Sequence, residues 1–294
     1  MKKNKIRKYK RKIPDTILQQ DIFKTQHKNT SRMTLEDDFF TGIEEQMSEG
    51  EWSQQAGMGD GDGTFTDRNN YKGQGASYKL CLKDREPIQF LADLYGASVS
   101  LIHSENYKRK DLYVVVLYGV RAIHFMIKVC PYLIEKRKKV TSLINYKFPE
   151  YTPPKVPMHL GNLSLMMGYT IGFFDSEGCI MFNKKKLKSG NIHYDRRVFF
   201  TNTDIRPLKK IQRFLTTKPF NYKTVSITSY KKEGNKRKYV LYVGTKHHAS
   251  FLAIHEPIFQ IERKRKKIEK FKMYHKISKI CNERKKGGKC RNIS

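Results

Sequence analysis

The chain of 294 residues is poor in acid, in cysteine and in long apolar runs, and each shortage narrows what it can be. No stretch of roughly eighteen residues is apolar throughout, so no membrane-spanning helix and no membrane partner are expected. The five cysteines (Cys81, Cys130, Cys179, Cys281, Cys290) are odd in number and scattered. None of their spacings fits a zinc ribbon, and they read as reduced thiols. Only 28 Asp and Glu stand against 59 Lys and Arg, a net charge of +31 that exceeds what solubility needs and draws polyanions. Nucleic acid is the expected partner. The clusters Lys108-Arg109-Lys110, Lys184-Lys185-Lys186, Lys231-Lys232 and Lys236-Arg237-Lys238 fall in predicted turns, with Lys79 and Arg197 on neighbouring strands, where phosphates would be met.

Against that scarcity of acid, two short segments place carboxylates alike. Gln55-Ala56-Gly57-Met58-Gly59-Asp60-Gly61-Asp62-Gly63 and Ile171-Gly172-Phe173-Phe174-Asp175-Ser176-Glu177-Gly178 are glycine-bearing helical runs ending in two acids one residue apart, then a glycine. Asp62 and Glu177 lie 115 residues apart, a domain-sized spacing. Gly63 and Gly178 are expected to supply the left-handed turn that stops each helix. Gly57 and Gly172 would let two such helices approach closely.

The stretches downstream of the two segments repeat as well. Alternating apolar patterns predict hairpins over 64–82 and 179–200, the second across a Lys-rich turn over 183–191. Each leads into a helix with proline in its first turn, Pro87 or Pro207. Strand pairs are predicted over 98–103 with 112–118 and over 225–230 with 239–243, and apolar helical spacing returns over 121–133 and 249–259. The expected class is α+β: two pseudo-symmetric αββαββα halves, each with a saddle-shaped antiparallel sheet, and the two motif helices packed at their interface. The expected division is a basic arm and acidic extension over 1–47, a first half over 48–145, a Pro-rich linker over 146–162, a second half over 163–275 and a basic tail over 276–294. His247-His248 reads as a surface pair.

The duplicated motif resembles LAGLIDADG, the motif of the homing endonucleases, in the single-chain form that carries two copies. The resemblance implies a site-specific, metal-dependent double-strand DNA endonuclease acting as a monomer, with Asp62, Glu177, Gly61 and Ser176 at the site for Mg²⁺ or Mn²⁺. It further implies a lysine beyond the sheet of each half, near the reacting phosphate. Pro131-Tyr132-Leu133-Ile134-Glu135-Lys136 matches and points to Lys136; Pro257-Ile258-Phe259-Gln260-Ile261-Glu262-Arg263 departs, with Glu262 at the equivalent place, so that the basic role falls on Arg263 or Lys264 only with a shift of one or two residues. The solvent-ordering polar residue that closes the second strand in the family falls at Lys83 and Asn202. Gln55 and Gly59 depart from the apolar consensus of the first motif.

Two functions stay open from the sequence. One is the endonuclease, encoded within an intron, with a gene rich in Lys, Asn, Ile, Tyr and Phe codons that fits an A+T-rich mitochondrial or chloroplast genome. The other is an RNA-binding derivative of the same fold, a maturase or a binder of intron or ribosomal RNA, in which the acids are relics.

Overall fold

The structure, a computed structural model, describes residues 37–67, 75–103, 111–154, 162–186, 192–231, 234, 236–255 and 260–273. The basic arm, the C-terminal tail, residues 155–161 of the Pro-rich linker and the expected phosphate contacts Lys108 and Arg109 lie outside the described residues.

After α1 (Asp37–Gln46) the first half runs α2 (Glu49–Gly61), β1 (Gly63–Asp67), β2 (Ala76–Leu82), α3 (Glu86–Tyr95), β3 (Val99–Ile102), β4 (Leu112–Tyr118), α4 (Gly119–Val129) and α5 (Arg137–Lys147). The second runs α6 (Leu163–Glu177), β5 (Gly178–Lys186), β6 (Ile192–Asn202), α7 (Ile205–Thr216), β7 (Val225–Tyr230), β8 (Lys238–Val243), a 3-10 turn (Thr245–His247), α8 (His248–His255) and a helical run over 262–273. The sheets are antiparallel with matching orders, β1-β2-β4-β3 and β5-β6-β8-β7. Gly63 pairs with Leu80 as Gly178 pairs with Phe200, so the halves correspond strand for strand.

The alternation of burial fixes which way each sheet faces. Leu80, Leu82, Val198 and Phe200 are buried beneath helices, while Lys79, Cys81, Arg197 and Thr201 lie on the opposite, open face. That face follows directly from the period of two along a strand.

Helices α2 and α6 cross at the centre of the molecule, backbone against backbone. A Cβ on Gly172 would collide with the Gln54 carbonyl oxygen, one on Gly57 with that of Tyr169, and one on Gly168 with that of Gly50. Ser53 Oγ donates to the Leu165 carbonyl at 2.8 Å across the seam. A capping box starts α2: the Ser48 side chain accepts from Glu51 N, and the Glu51 carboxylate accepts from Ser48 N at 2.8 Å.

Three expectations need correction: the left-handed glycines, the Lys-rich turn and the surface pair His247-His248. Neither motif helix stops in a left-handed glycine. Gly178 is extended (φ −83°), and Gly63 does not have positive φ. Both positions are glycine because the strand leaves directly over the last helical turn, where a Cβ would meet Phe174 or, at 2.7 Å, the Gly59 carbonyl oxygen. The Lys-rich segment over 183–186 is strand and not turn, since β5 pairs with β6 as far as Lys186 opposite Ile192. The acidic extension is in part folded onto the first half: Phe40, Ile43 and Met47 are buried, and Glu44 pairs with Lys128 at 2.6 Å and His124 at 3.2 Å on α4, behind the sheet. His248 is buried and hydrogen-bonded to the Val243 carbonyl at 2.7 Å, while His247 stacks on Tyr222.

Gln55 is buried on α2, with both amide atoms lacking a hydrogen-bond partner among the described residues. An unsatisfied buried polar group costs about 1–3 kcal/mol. Gln55→Leu is therefore expected to raise the thermal unfolding midpoint. Gly172→Ala, which forces two backbones apart, is expected to lower stability by about 1–3 kcal/mol or more. Unfolding curves on the two variants check both signs.

Candidate active site

Asp62 is the residue that ends α2, and Glu177 is the last residue of α6, so the helix crossing sets where the two carboxylates lie. Gly61 and Ser176, one position earlier, face each other so closely that a Cβ on Gly61 would collide with Ser176 Oγ; the same Cβ would lie 3.1 Å from Glu177 Cγ. Burial pushes the Glu177 carboxyl up to about 7, and the charge of Asp62 is the next cause. Asp62 is also raised by burial, opposed by Lys136, Lys264 and Lys83. Among the described residues neither acid is held in an ion pair. Thr201, on the open face of β6, reaches the Glu177 carboxylate at 3.4 Å.

The first acid of each motif does different work. Asp60 is buried and accepts from the backbone N–H groups of Ile134 (2.7 Å), Glu135 (3.1 Å) and Lys136 (2.8 Å), and from Tyr169 Oη of the other half at 2.7 Å. Asp175 accepts from Gln260 N at 3.1 Å. Each therefore anchors the segment that brings a lysine back to its own motif helix. Sequence reading gave these two acids no role; the repeat itself, acid-x-acid, was the available signal.

Lys136 Nζ donates to the carbonyls of Gly59 (2.8 Å), Gly61 (3.1 Å) and Gly63 (2.7 Å), wrapping the end of α2. At the end of α6 the same place is taken by Lys264, whose Nζ donates to the carbonyls of Phe174 and Asp175. Burial lowers the pKa of both ammonium groups. This corrects the assignment of Arg263. That side chain points instead to the first half, where it pairs with Asp84 at 3.0 and 2.8 Å.

Lys83 and Asn202 are not equivalent either. With Leu80 matching Phe200, Asn202 matches Leu82, and Lys83 matches Thr203. Lys83 is exposed and near enough to lower the Asp62 pKa, whereas Asn202 is buried and donates to Glu135 at 2.8 Å. The open-face residues beside the acids are Cys81 and Thr201; burial, with a smaller contribution from the charge of Asp62, raises the pKa of the Cys81 thiol. The Gly61 carbonyl accepts from an ammonium group, which makes it a poor metal ligand, and the Ser176 hydroxyl is turned back to the carbonyls of Gly172 and Phe173.

Of the expected nucleic-acid contacts, Lys79 and Arg197 lie on the open sheet faces, Arg197 paired with Asp195 at 2.9 Å. Lys231, Lys236 and Arg237 are exposed around the β7–β8 turn, where with Thr203 and Tyr239 they line a cavity of about 530 Å³. Lys184, Lys185 and Lys186 belong to β5.

The LAGLIDADG endonuclease family model matches residues 170–278, from α6 through the lysine-bearing segment. The first half lies outside the match and repeats the strand order, the acid-x-acid helix end and the returning lysine of the second. No curated protein matches the chain. Among solved structures it is similar in fold to the meganuclease I-AabMI bound to uncleaved DNA (18% identity, 82% of this chain and 99% of that one, TM-score 0.48). It is likewise similar to I-SmaMI bound to an uncleaved DNA target in the presence of calcium ions (14%, 81% and 93%, 0.47) and to I-DmoI in complex with DNA and Mn (17%, 70% and 95%, 0.38).

Asp62 and Glu177 suit a hard divalent cation by their chemistry: two oxygen-only donors, drawn from opposite halves and free of competing ion pairs among the described residues. A carboxyl whose folded pKa is about 7 against an ordinary 4.5 holds its proton more tightly in the folded state. The penalty is absent below the unfolded value and grows as pH rises through the folded one. Metal-free protein is thus expected to lose thermal stability from roughly pH 5 to pH 8, and Glu177→Gln to lose less over that window. Melting curves across the range decide it; parallel losses in both proteins would remove Glu177 as the cause.

Proposed function

We propose that this chain is a site-specific, metal-dependent double-strand DNA endonuclease that cuts one phosphodiester in each strand and serves the homing of an intron. The observation that carries the reading is the meeting of Asp62 and Glu177, one from each half, at the end of two helices whose separation is fixed by backbone contact. Mg²⁺ or Mn²⁺ held by these acids and by DNA phosphates would supply charge neutralisation at phosphorus and an activated water. Lys136 and Lys264 keep their ammonium groups beside the acids, where charge develops on the reacting phosphate. The open sheet faces, with Lys79 and Arg197, lie along the major groove, and the lysines of β5 and of the β7–β8 turn meet backbone phosphates.

With about 10 bp read by each half, the site spans about 20 bp, is asymmetric because the halves differ in sequence, and is bound by a monomer. The amino-acid usage supports a mitochondrial or chloroplast gene. The extreme positive charge leaves an RNA-binding derivative as the second reading, with intron or ribosomal RNA as its ligand.

Purified protein with Mg²⁺ and plasmids carrying candidate insertion sites is the direct test. Asp62→Asn and Glu177→Gln are each expected to reduce double-strand cleavage at least about 100-fold while DNA affinity persists or improves, because a carboxylate facing phosphates is lost. Full activity in either variant would overturn the assignment. Lys136→Ala and Lys264→Ala should lower the cleavage rate more than affinity, and Lys185→Ala the reverse. Preference for folded RNA over the DNA site by about tenfold, with no nicking in Mg²⁺ or Mn²⁺, would favour the RNA reading.

A further inference from the structure

The residue immediately before each lysine reaches across the molecule. Glu135, next to Lys136 in the first half, accepts from Asn202 Nδ2 of the second half at 2.8 Å, and its own carbonyl accepts from Arg206 at 3.1 Å. Arg263, next to Lys264 in the second half, forms a two-bonded pair with Asp84 of the first half at 3.0 and 2.8 Å. Asp84 and Asp204 are equivalent by strand register; Arg263 grips the junction between the second strand and the next helix of the first half, and Glu135 engages the two residues, Asn202 at the strand end and Arg206 in the helix, that flank the same junction of the second. Residues 83–85 form that junction in the first half; residues 203–204 form it in the second, between Asn202 and Ile205.

The two links are related by pseudo-symmetry, yet their chemistry is opposite. One is a carboxylate receiving an amide and the other a guanidinium gripping a carboxylate. Neither Glu135 nor Arg263 is hydrogen-bonded to Asp62 or Glu177. The exposure of the Arg263 and Asp84 side chains, 45% and 12%, places their pair at the water boundary, where an ion pair adds little to stability. Geometry is what it supplies: a bidentate fork fixes direction as well as distance. A lysine that hangs on backbone carbonyls at a helix end needs its own backbone held, and in the second half the buried anchor is weaker. Asp60 receives four donors, whereas Asp175 receives Gln260 N and leaves Oδ1 without a hydrogen-bond partner among the described residues.

We propose that Glu135 and Arg263 are positioning residues, each locking the adjacent lysine in place by bolting its segment to the opposite half, so that loss of one bolt disturbs one lysine and leaves the other. The effect on DNA cleavage rests on the endonuclease reading. The effect on the lysines does not.

Competitive acetylation of the folded, DNA-free protein, read by peptide mass spectrometry, tests the bolts without any activity. Arg263→Ala and Asp84→Ala should each raise the labelling rate of Lys264 roughly tenfold while Lys136 stays as in the wild type. Glu135→Ala should do the reverse. Glu135→Gln, which can still accept from Asn202, should preserve wild-type labelling, and the charge-exchanged pair Asp84→Arg with Arg263→Asp should restore protection of Lys264. Unchanged labelling in the single variants, or equal rises at both lysines, would overturn the proposal. On a duplex labelled separately on each strand, Arg263→Ala should slow the nicking of one strand roughly 10- to 100-fold and Glu135→Ala that of the other, with duplex affinity in Ca²⁺ unchanged. Equal slowing of both strands would likewise sink it. If wild-type protein nicks neither strand, the endonuclease reading fails, and the acetylation result alone decides on the bolts.

Discussion

The structure depends on one contact, the crossing of α2 and α6 with backbone against backbone. No side chain can be inserted there: Gly57, Gly168 and Gly172 each sit where a Cβ would strike a carbonyl oxygen of the opposite helix. Such a seam places the two helix ends with a tolerance set by van der Waals radii and not by flexible side chains. Asp62 and Glu177, at those ends, inherit that precision. Neither half buries its motif helix without the other, so core, interface and candidate site are one object.

Around this seam the two acids of each motif divide their work by depth. Asp60 and Asp175 are buried and turned back into the protein, where they hold the N–H groups of a returning segment. Asp62 and Glu177 are one helical step further out and face the open side. A carboxylate that accepts several backbone N–H groups is committed to structure. Its neighbour two residues on is left without such bonds, and can serve chemistry.

Much of this was legible in the chain because duplication writes the same pattern twice. The acid-x-acid ends, the proline-started helices and the paired strands fixed the element order, and the strands over 112–118 and 225–230 begin and end where alternation put them. Position along a repeat is less legible than its existence. The motif acids are offset by 115 residues but Lys136 and Lys264 by 128, and the lysine follows its proline by five residues in the first half and seven in the second; the spacing copied from Pro131 to Lys136 therefore landed on Glu262, and a one-residue shift reached only Arg263. The same slippage matched Lys83 to Asn202. Burial of His248 was invisible for a related reason: a histidine bonded to the carbonyl of the preceding strand has no periodic signal of its own.

The electrostatics explain why a chain of charge +31 keeps two free carboxylates at its centre. Lys136 and Lys264 are close enough to oppose the rise in the Asp62 pKa, yet their ammonium groups are occupied by main-chain carbonyls of the motif helix ends. Had they paired directly with the acids, each carboxylate would have been neutralised and its lone pairs spent on N–H donors. Carbonyls hold the cations by partial charge alone, at the helix C-termini where the macrodipole is negative and a positive group is favoured. The outcome is a positive field around the acids without capture of the acids. Burial and, after it, the charge of Asp62 raise the Glu177 pKa, opposed by the Thr201 hydroxyl and by Lys136. On the proposed function a divalent cation would relieve that repulsion where a side chain does not, and the positive field of the lysines would favour a polyanion that brings its own phosphates to the same place.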